Sequence, residues 1–231
     1  QVQRFVTKKN LILFVGVVLT IIMGSANNIL YYKISLPYAN YPFFLVIYSS
    51  MFSVPVYWLI VLIIRVVPRW RHYITITMLG FPVWKFMILG LLDSLQGILG
   101  FFSDSHVPGA TQQLLLQLAI PVTMIASVLI LKTKYSVGQY IGAIIIIGGI
   151  VIDVIPAFFD PGSDLAADSL FWLLIYLSSV LPFAASYTYK EIIFKNVEMN
   201  IFYLMAQDTN YQFLFNLLFT PVDAIPKFGS S

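Results

Sequence analysis

Seven runs of apolar residues, each close to the length of a bilayer crossing, constrain this chain more than anything else in its sequence. They are Leu11–Tyr32, Pro42–Ile64, Phe86–Ser103, Thr111–Leu131, Val137–Phe158, Leu170–Tyr189 and Ile201–Val222. A helix needs about 20 residues to cross a hydrocarbon core roughly 30 Å thick. Backbone polar groups at that depth must be satisfied internally, which leaves helices and closed barrels as the spanning structures. The runs are long and continuous and lack the alternation of barrel strands, so the reading is helical. The strings between them, "SLPYANYP", "RVVPRWRH", "SDSHVPGA", "KTKYS", "DPGSD" and "KEIIFKNVEMN", hold the chain breakers expected of turns. With 59% hydrophobic and 10% charged residues, the composition is far from that of a soluble domain. No Gly/Ser linker divides the chain. The expected fold is an all-α membrane protein, a polytopic helix bundle.

Loop charges set the expected orientation, because cytoplasmic loops retain an excess of Lys and Arg. With the N-terminus cytoplasmic, that side collects Arg4, Lys8, Lys9, Arg65, Arg69, Arg71, Lys85, Lys132, Lys134, Lys190 and Lys195, leaving Lys33 and Lys227 opposite. The other side gathers Asp104, Asp160, Asp164, Asp168 and Asp223. A seven-helix receptor would reverse this pattern. The formal charge of +3 is spread over short loops and predicts no nucleic-acid partner.

The polar residues inside the runs carry the functional signal. Asp93 and Gln96 share a face of the third run. Gln113, Gln117 and Pro121 follow one another at four-residue spacing in the fourth, as do Asp208, Gln212 and Asn216 in the seventh, and the first offers Ser25, Asn27 and Asn28. Single carboxamides commonly do no more than join neighbouring helices. Aligned stripes on four helices instead predict one aqueous chamber at mid-membrane, lined by the ten of these residues other than Pro121 as substrate-binding groups. With the runs delimited as above, no Lys or Arg falls inside one, so Asp93 and Asp208 are each expected to be solvated by the cavity or protonated. A carboxyl that switches between those states is a candidate proton-coupling group. Pro121, and Pro182 in the sixth run, are expected to free backbone carbonyls, and Gly138 with Gly142 to offer a small-residue face for close helix packing.

Other chemistries find no support. Cysteine is absent, which excludes disulfides, Cys-based zinc sites and a Cys nucleophile. The sequence holds no metal-ligand cluster, phosphate-binding loop or Ser/His/Asp arrangement, so neither an enzyme nor a cofactor is expected.

Two segments echo one another: "ANNILYYKI" at the end of the first run and "ASYTYKEII" at the end of the sixth, each followed by an aromatic start, "NYPFFL" and "NIFYLM". Five runs separate them, so the second copy crosses in the opposite direction. That is the pattern of inverted-repeat carriers, whose substrate sites lie near the midplane. The segments "ANNILYYK", "NYPFFL", "LLDSLQGILGF", "LLLQLAIPVTMIASVLILKTKYSVGQYIGAI" and "YKEIIFK" resemble the chloroquine-resistance-transporter-like family of the drug/metabolite transporter superfamily. The resemblance implies a ten-helix carrier of two inverted five-helix repeats. Residues 1–160 would form the first repeat, and 161–231 the first two helices of a second, incomplete one, so the chain reads as a fragment of a longer carrier. It further implies that Ser25 to Ile29 match a substrate-selectivity region, with Ile29 where some relatives carry a lysine, and that Asp93 occupies an acidic position of the third span.

The expected function is secondary transport of small organic solutes such as amino acids, peptides, glutathione-like thiols or cationic drugs. The expected partners are that substrate, a coupling proton and the lipid bilayer. Two alternatives stay open: a nucleotide-sugar or sugar-phosphate carrier of the same superfamily, and a non-transporting membrane scaffold or receptor subunit. The sequence does not decide between a vacuolar or endolysosomal and a plastid membrane, and it fixes no oligomeric state.

Overall fold

The computed structural model describes residues 2–35, 37–38, 42–104, 106–159 and 167–221. Among them the regular elements are helical: α1 (Val2–Ser35), α2 (Pro42–Val66), a single 3-10 turn (Arg71–Tyr73), α3 (Ile76–Leu79), α4 (Val83–Asp104), α5 (Gly109–Leu116), α6 (Ala119–Leu131), α7 (Val137–Phe159), α8 (Ala167–Asn196) and α9 (Ile201–Phe219). Six stretches among the described residues are long and apolar enough to cross a membrane: α1, α2, α4, α5 with α6, α7 and α8. The seventh expected span, α9, has sufficient length but not the apolarity, because Gln207, Asp208, Asn210, Gln212 and Asn216 interrupt it. Its polar side chains are tolerated because Asp208, Thr209 and Asn216 are buried against protein. The expected repeat boundary at 160/161 and the end of the last run at Val222 lie outside the described residues.

Local chemistry fixes where these helices start and stop. Asn200 caps α9, its side-chain oxygen accepting from the N–H groups of Phe202 (2.9 Å) and Tyr203 (3.3 Å), which satisfies two of the donors a helix start leaves open. At the start of α7, Gln139 reaches back to accept from the Ser136 N–H at 2.7 Å, the reciprocal half of a capping box. The fourth run does not form one helix. It breaks between α5 and α6 at Gln117–Leu118, one turn before Pro121. The ring of Pro121 offers no N–H to the Gln117 carbonyl four residues back, and that carbonyl instead accepts from Ile120 at 3.0 Å. The carbonyl expected to be freed is therefore taken up locally. Pro182, also expected to open the backbone, sits inside an uninterrupted α8.

The bundle is organised around α4, which packs along α8 and α9, while α2 closes on α9 and α6 on α8. Two apolar layers bracket this group. Near the end that carries the basic loops, Val61, Phe81, Phe86, Leu89, Ile193, Met199, Tyr203 and Leu204 pack together, and near the opposite end Phe43, Ile98 and Phe102 do so. Lipid removes most of the hydrophobic drive between membrane helices, so close packing must supply the association. Gly90 is where that closeness is greatest: a Cβ placed there would lie 2.6 Å from Tyr211 Cβ and 2.7 Å from the Gln212 nitrogen. By contrast, Gly138 and Gly142 meet nothing within 4 Å, so the packing face expected at these glycines has no partner among the described residues. The span Asn10–Leu30 of α1 has no buried side chain and joins the bundle near its far end.

Gly90→Ala should force α4 from α9 at a cost of about 1–3 kcal/mol, the usual range for overpacking. Gly97→Ala, with no neighbour within 4 Å, should be close to neutral. Thermal unfolding of the two variants of the complete protein in detergent separates them, and equal midpoints would contradict the close crossing.

Candidate transport cavity and its charged neighbour

Beside the break in the fourth run, Gln113 and Gln117 border open space. A cavity of about 740 Å³ lies between α1, α4, α5 and α8, and Asn27, Asn28, Gln96, Gln112, Gln113 and Tyr176 line it. A second, of about 620 Å³, lies between α5, α6 and α8, lined by Gln113, Gln117, Thr123, Ser127, Tyr187 and Glu191 among others. Gln113 and Leu116 border both, so the two voids meet at one turn of α5. Gln113 accepts a hydrogen bond of 3.0 Å from the Asn28 amide, a polar tie between α1 and α5. Gln112 is buried and donates to the Val107 carbonyl at 2.8 Å, fixing the turn before α5. Both cavities are of the size that holds a small organic molecule.

The acids lie elsewhere. Lys190 places its Nζ 2.8 Å from an Asp93 carboxylate oxygen and 3.0 Å from one of Asp208. The side chains of Lys190 and Asp93 are 15% and 18% exposed and that of Asp208 only 3%, so this ion triad sits within the bundle where α4, α8 and α9 meet. The sequence reading held that no basic residue inside a span could neutralise Asp93 or Asp208, and this is corrected. It ended the sixth run at Tyr189, whereas α8 continues to Asn196, carrying Lys190 inside the helix.

The remaining stripe of α9 joins the same region. Gln212 approaches the Asp93 carbonyl at 3.4 Å. Asn216, fully buried, donates to Ser50 Oγ at 2.7 Å and accepts from Ser94 Oγ at 2.5 Å, tying α2, α4 and α9 into one polar layer between the apolar ones. The single chamber expected from ten residues is thus two arrangements. Asn27, Asn28, Gln96, Gln113 and Gln117 border the cavities; Asp93, Asp208, Gln212 and Asn216 form the buried polar cluster. Ser25 is exposed and borders neither cavity.

Several residues of the site escaped the sequence reading. Lys33 lines the larger cavity. Glu191 and Ser127 meet at 3.1 Å on the wall of the smaller one, with Lys195 2.7 Å from Glu191. Tyr187 lines that cavity too, and its ring centroid lies 5.6 Å from Lys190 Nζ. The i, i+3 spacing of Tyr187 and Lys190 on one helix face was the available signal.

Outside the spans, His106 stacks on Trp172 with ring centroids 4.1 Å apart and planes within 13°. Burial holds its imidazole below the ordinary value of 6.5, partly opposed by a backbone hydrogen bond at Phe102. A lowered folded-state value means the neutral stack is favoured above the ordinary value and is lost as pH falls through the lowered one. In a variant of the complete protein keeping Trp172 as its sole tryptophan, emission should change with a midpoint below 6.5; a midpoint at or above it would contradict the buried stack. Asn216→Ala should leave Ser50 and Ser94 without their buried partner and cost about 1–3 kcal/mol, read as a lowered unfolding midpoint that Asn216→Ser partly restores.

These observations define a multi-pass membrane helix bundle with open cavities bordered by carboxamides. The described family that matches is CRT-like, chloroquine-resistance transporter-like, over residues 12–229. The chain belongs to this family. It is 35% identical over 225 residues to Crt homolog 3 of Dictyostelium discoideum, covering 96% of this chain and 45% of that protein. It is 36% identical to Crt homolog 2 of the same organism, with 96% and 46% covered. Against the chloroquine resistance transporter of Toxoplasma gondii it is 37% identical over 152 residues, 66% of this chain and 17% of that protein. The chain spans about half the length of the Dictyostelium relatives.

Proposed function

We propose that the complete protein is a secondary transporter of small organic solutes, proton-coupled, which alternates access around a midplane cavity. The observation that carries this reading is the meeting of two voids at Gln113, bordered by carboxamides from α1, α4 and α5 within a bundle of apolar spans. Neutral carboxamides, aromatic rings, the carboxylate of Glu191 and the ammonium of Lys33 on these walls suit amino acids and peptides. Family membership supports carriage as the class of activity. In this reading residues 1–160 are the first of two inverted repeats and 161–231 begin the second. The basic loops put the N-terminus in the cytoplasm.

A nucleotide-sugar or sugar-phosphate carrier would need basic groups facing the substrate. Lys33 borders the larger cavity, but Lys190 is held by two carboxylates, which favours the organic-solute reading. A membrane scaffold would tolerate leucine in place of the cavity carboxamides and move no solute.

The test is uptake into proteoliposomes by the complete gene product, with glutathione, short peptides and a nucleotide sugar as competitors. Gln113→Leu should lower uptake roughly three- to tenfold, the worth of one or two hydrogen bonds, while Ile145→Leu on the exposed side of α7 should not. Asp93→Asn should weaken the response of uptake to an imposed pH gradient. Absent uptake of every competitor class, or full activity of Gln113→Leu, would refute the reading.

A further inference from the structure

The ion triad carries an imbalance that the transport reading does not use. Two carboxylates and one ammonium leave one negative charge inside the bundle when both acids are ionised. One atom marks where that imbalance falls: Asp208 Oδ1 is buried and has no hydrogen-bond partner, while its Oδ2 is held by Lys190. An ionised oxygen without a donor in a low-dielectric interior is strongly unfavourable. A hydrogen on that oxygen removes both the excess charge and the orphaned acceptor.

Among the described residues no other group is placed to do this. Asp93 faces Asp208 from α4 and Lys190 faces it from α8. Glu191, next along α8, turns to Ser127 and Lys195. From α2, Ser50 is engaged by Asn216 and Tyr57 packs in the apolar layer, where Tyr189 of α8 and Tyr203 and Tyr211 of α9 also lie. Tyr187 separates Lys190 from the smaller cavity, so the triad is one side chain from that void.

We propose that the Asp93–Lys190–Asp208 triad holds one exchangeable proton, carried by Asp208, and that Lys190 is the positioning residue that sets its number at one. On uptake, a proton from water adds to the Asp208 carboxylate to form its O–H, and the triad changes from one net negative charge to neutral. Lys190 is then bound to Asp93 as a simple ion pair, and α9 is released from its charged link to α8. On release the O–H bond breaks toward water and the link reforms. This deepens the proton-coupling part of the transport reading and rests on it for its purpose, while the proton count is measurable without transport.

The experiment is infrared difference spectroscopy of the complete protein in liposomes, following the C=O stretch of protonated carboxyl groups between alkaline and acidic buffer. One buried carboxyl should titrate in the parent protein. It should vanish in Asp208→Asn, and also in Asp93→Asn, where Lys190 and Asp208 balance one to one. It should persist in Lys190→Arg, which also shows that the bundle tolerates change there. In Lys190→Met, with the cation gone, the titrating carboxyl signal should change in midpoint or in amplitude. No titrating carboxyl in the parent, or one that survives Asp208→Asn, or one unchanged by Lys190→Met, would overturn the proposal. Solute uptake with a pH response but no such signal would sink the triad and leave the carrier reading standing. The signal without uptake of any solute would do the reverse.

Discussion

A polar atom within a bilayer must find a partner or water, and the arrangement of this chain follows from how it meets that demand. The backbone meets it by forming helices. Side chains meet it in two distinct ways: charged and amide groups of α2, α4, α8 and α9 pair with one another, while the carboxamides of α1, α4 and α5 border open space. The first set is enclosed between apolar layers. The second borders the two cavities. Helix α4 serves both, presenting Asp93 and Ser94 to the pairs and Gln96 to the cavity.

This division gives the two halves of the bundle different mechanical characters. Gly90 brings α4 and α9 into backbone contact, and beside that crossing the triad adds charge pairing that is costly to break by removing one partner, about 3–5 kcal/mol for a buried pair. The cavity side is looser. There, among the described residues, the Asn28–Gln113 carboxamide bond joins α1 to a helix that is itself broken after Leu116. A rigid group beside a lightly tied one is the arrangement that relative motion of helices around a fixed site requires.

Much of this was legible in the sequence because length and apolarity report spans directly: the helical class and six of the seven expected crossings follow from the apolar runs, and the shared face of Gln113 and Gln117 from their four-residue spacing. What was not legible depended on which helices become neighbours. Lys190 read as a loop residue because the apolar run stops at the first charge, yet the helix continues to Asn196 with Ile192 and Ile193 still facing protein. Asp93 and Asp208 read as unpaired for the same reason. The stripes were correctly seen as stripes, but spacing along one helix does not say whether a stripe meets a void or another stripe. Asn216 met serines; Gln113 met a cavity. Likewise Gly90 gave no sign of being the tight crossing, while Gly138 and Gly142, which did, meet no neighbour within 4 Å among the described residues.

The account stands on water reaching the carboxamide-lined voids. The direct measurement is cysteine accessibility in the complete protein, with its other cysteines replaced and single cysteines placed at Gln96, Gln113, Gln117, Leu129 and Ile144, using a membrane-impermeant thiol reagent in oriented vesicles. Labelling at 96, 113 and 117, with none at the outward-facing 129 and 144, is the expected result. Unreactive thiols at 113 and 117, or equal reaction at all five positions, would contradict a wet passage through this bundle.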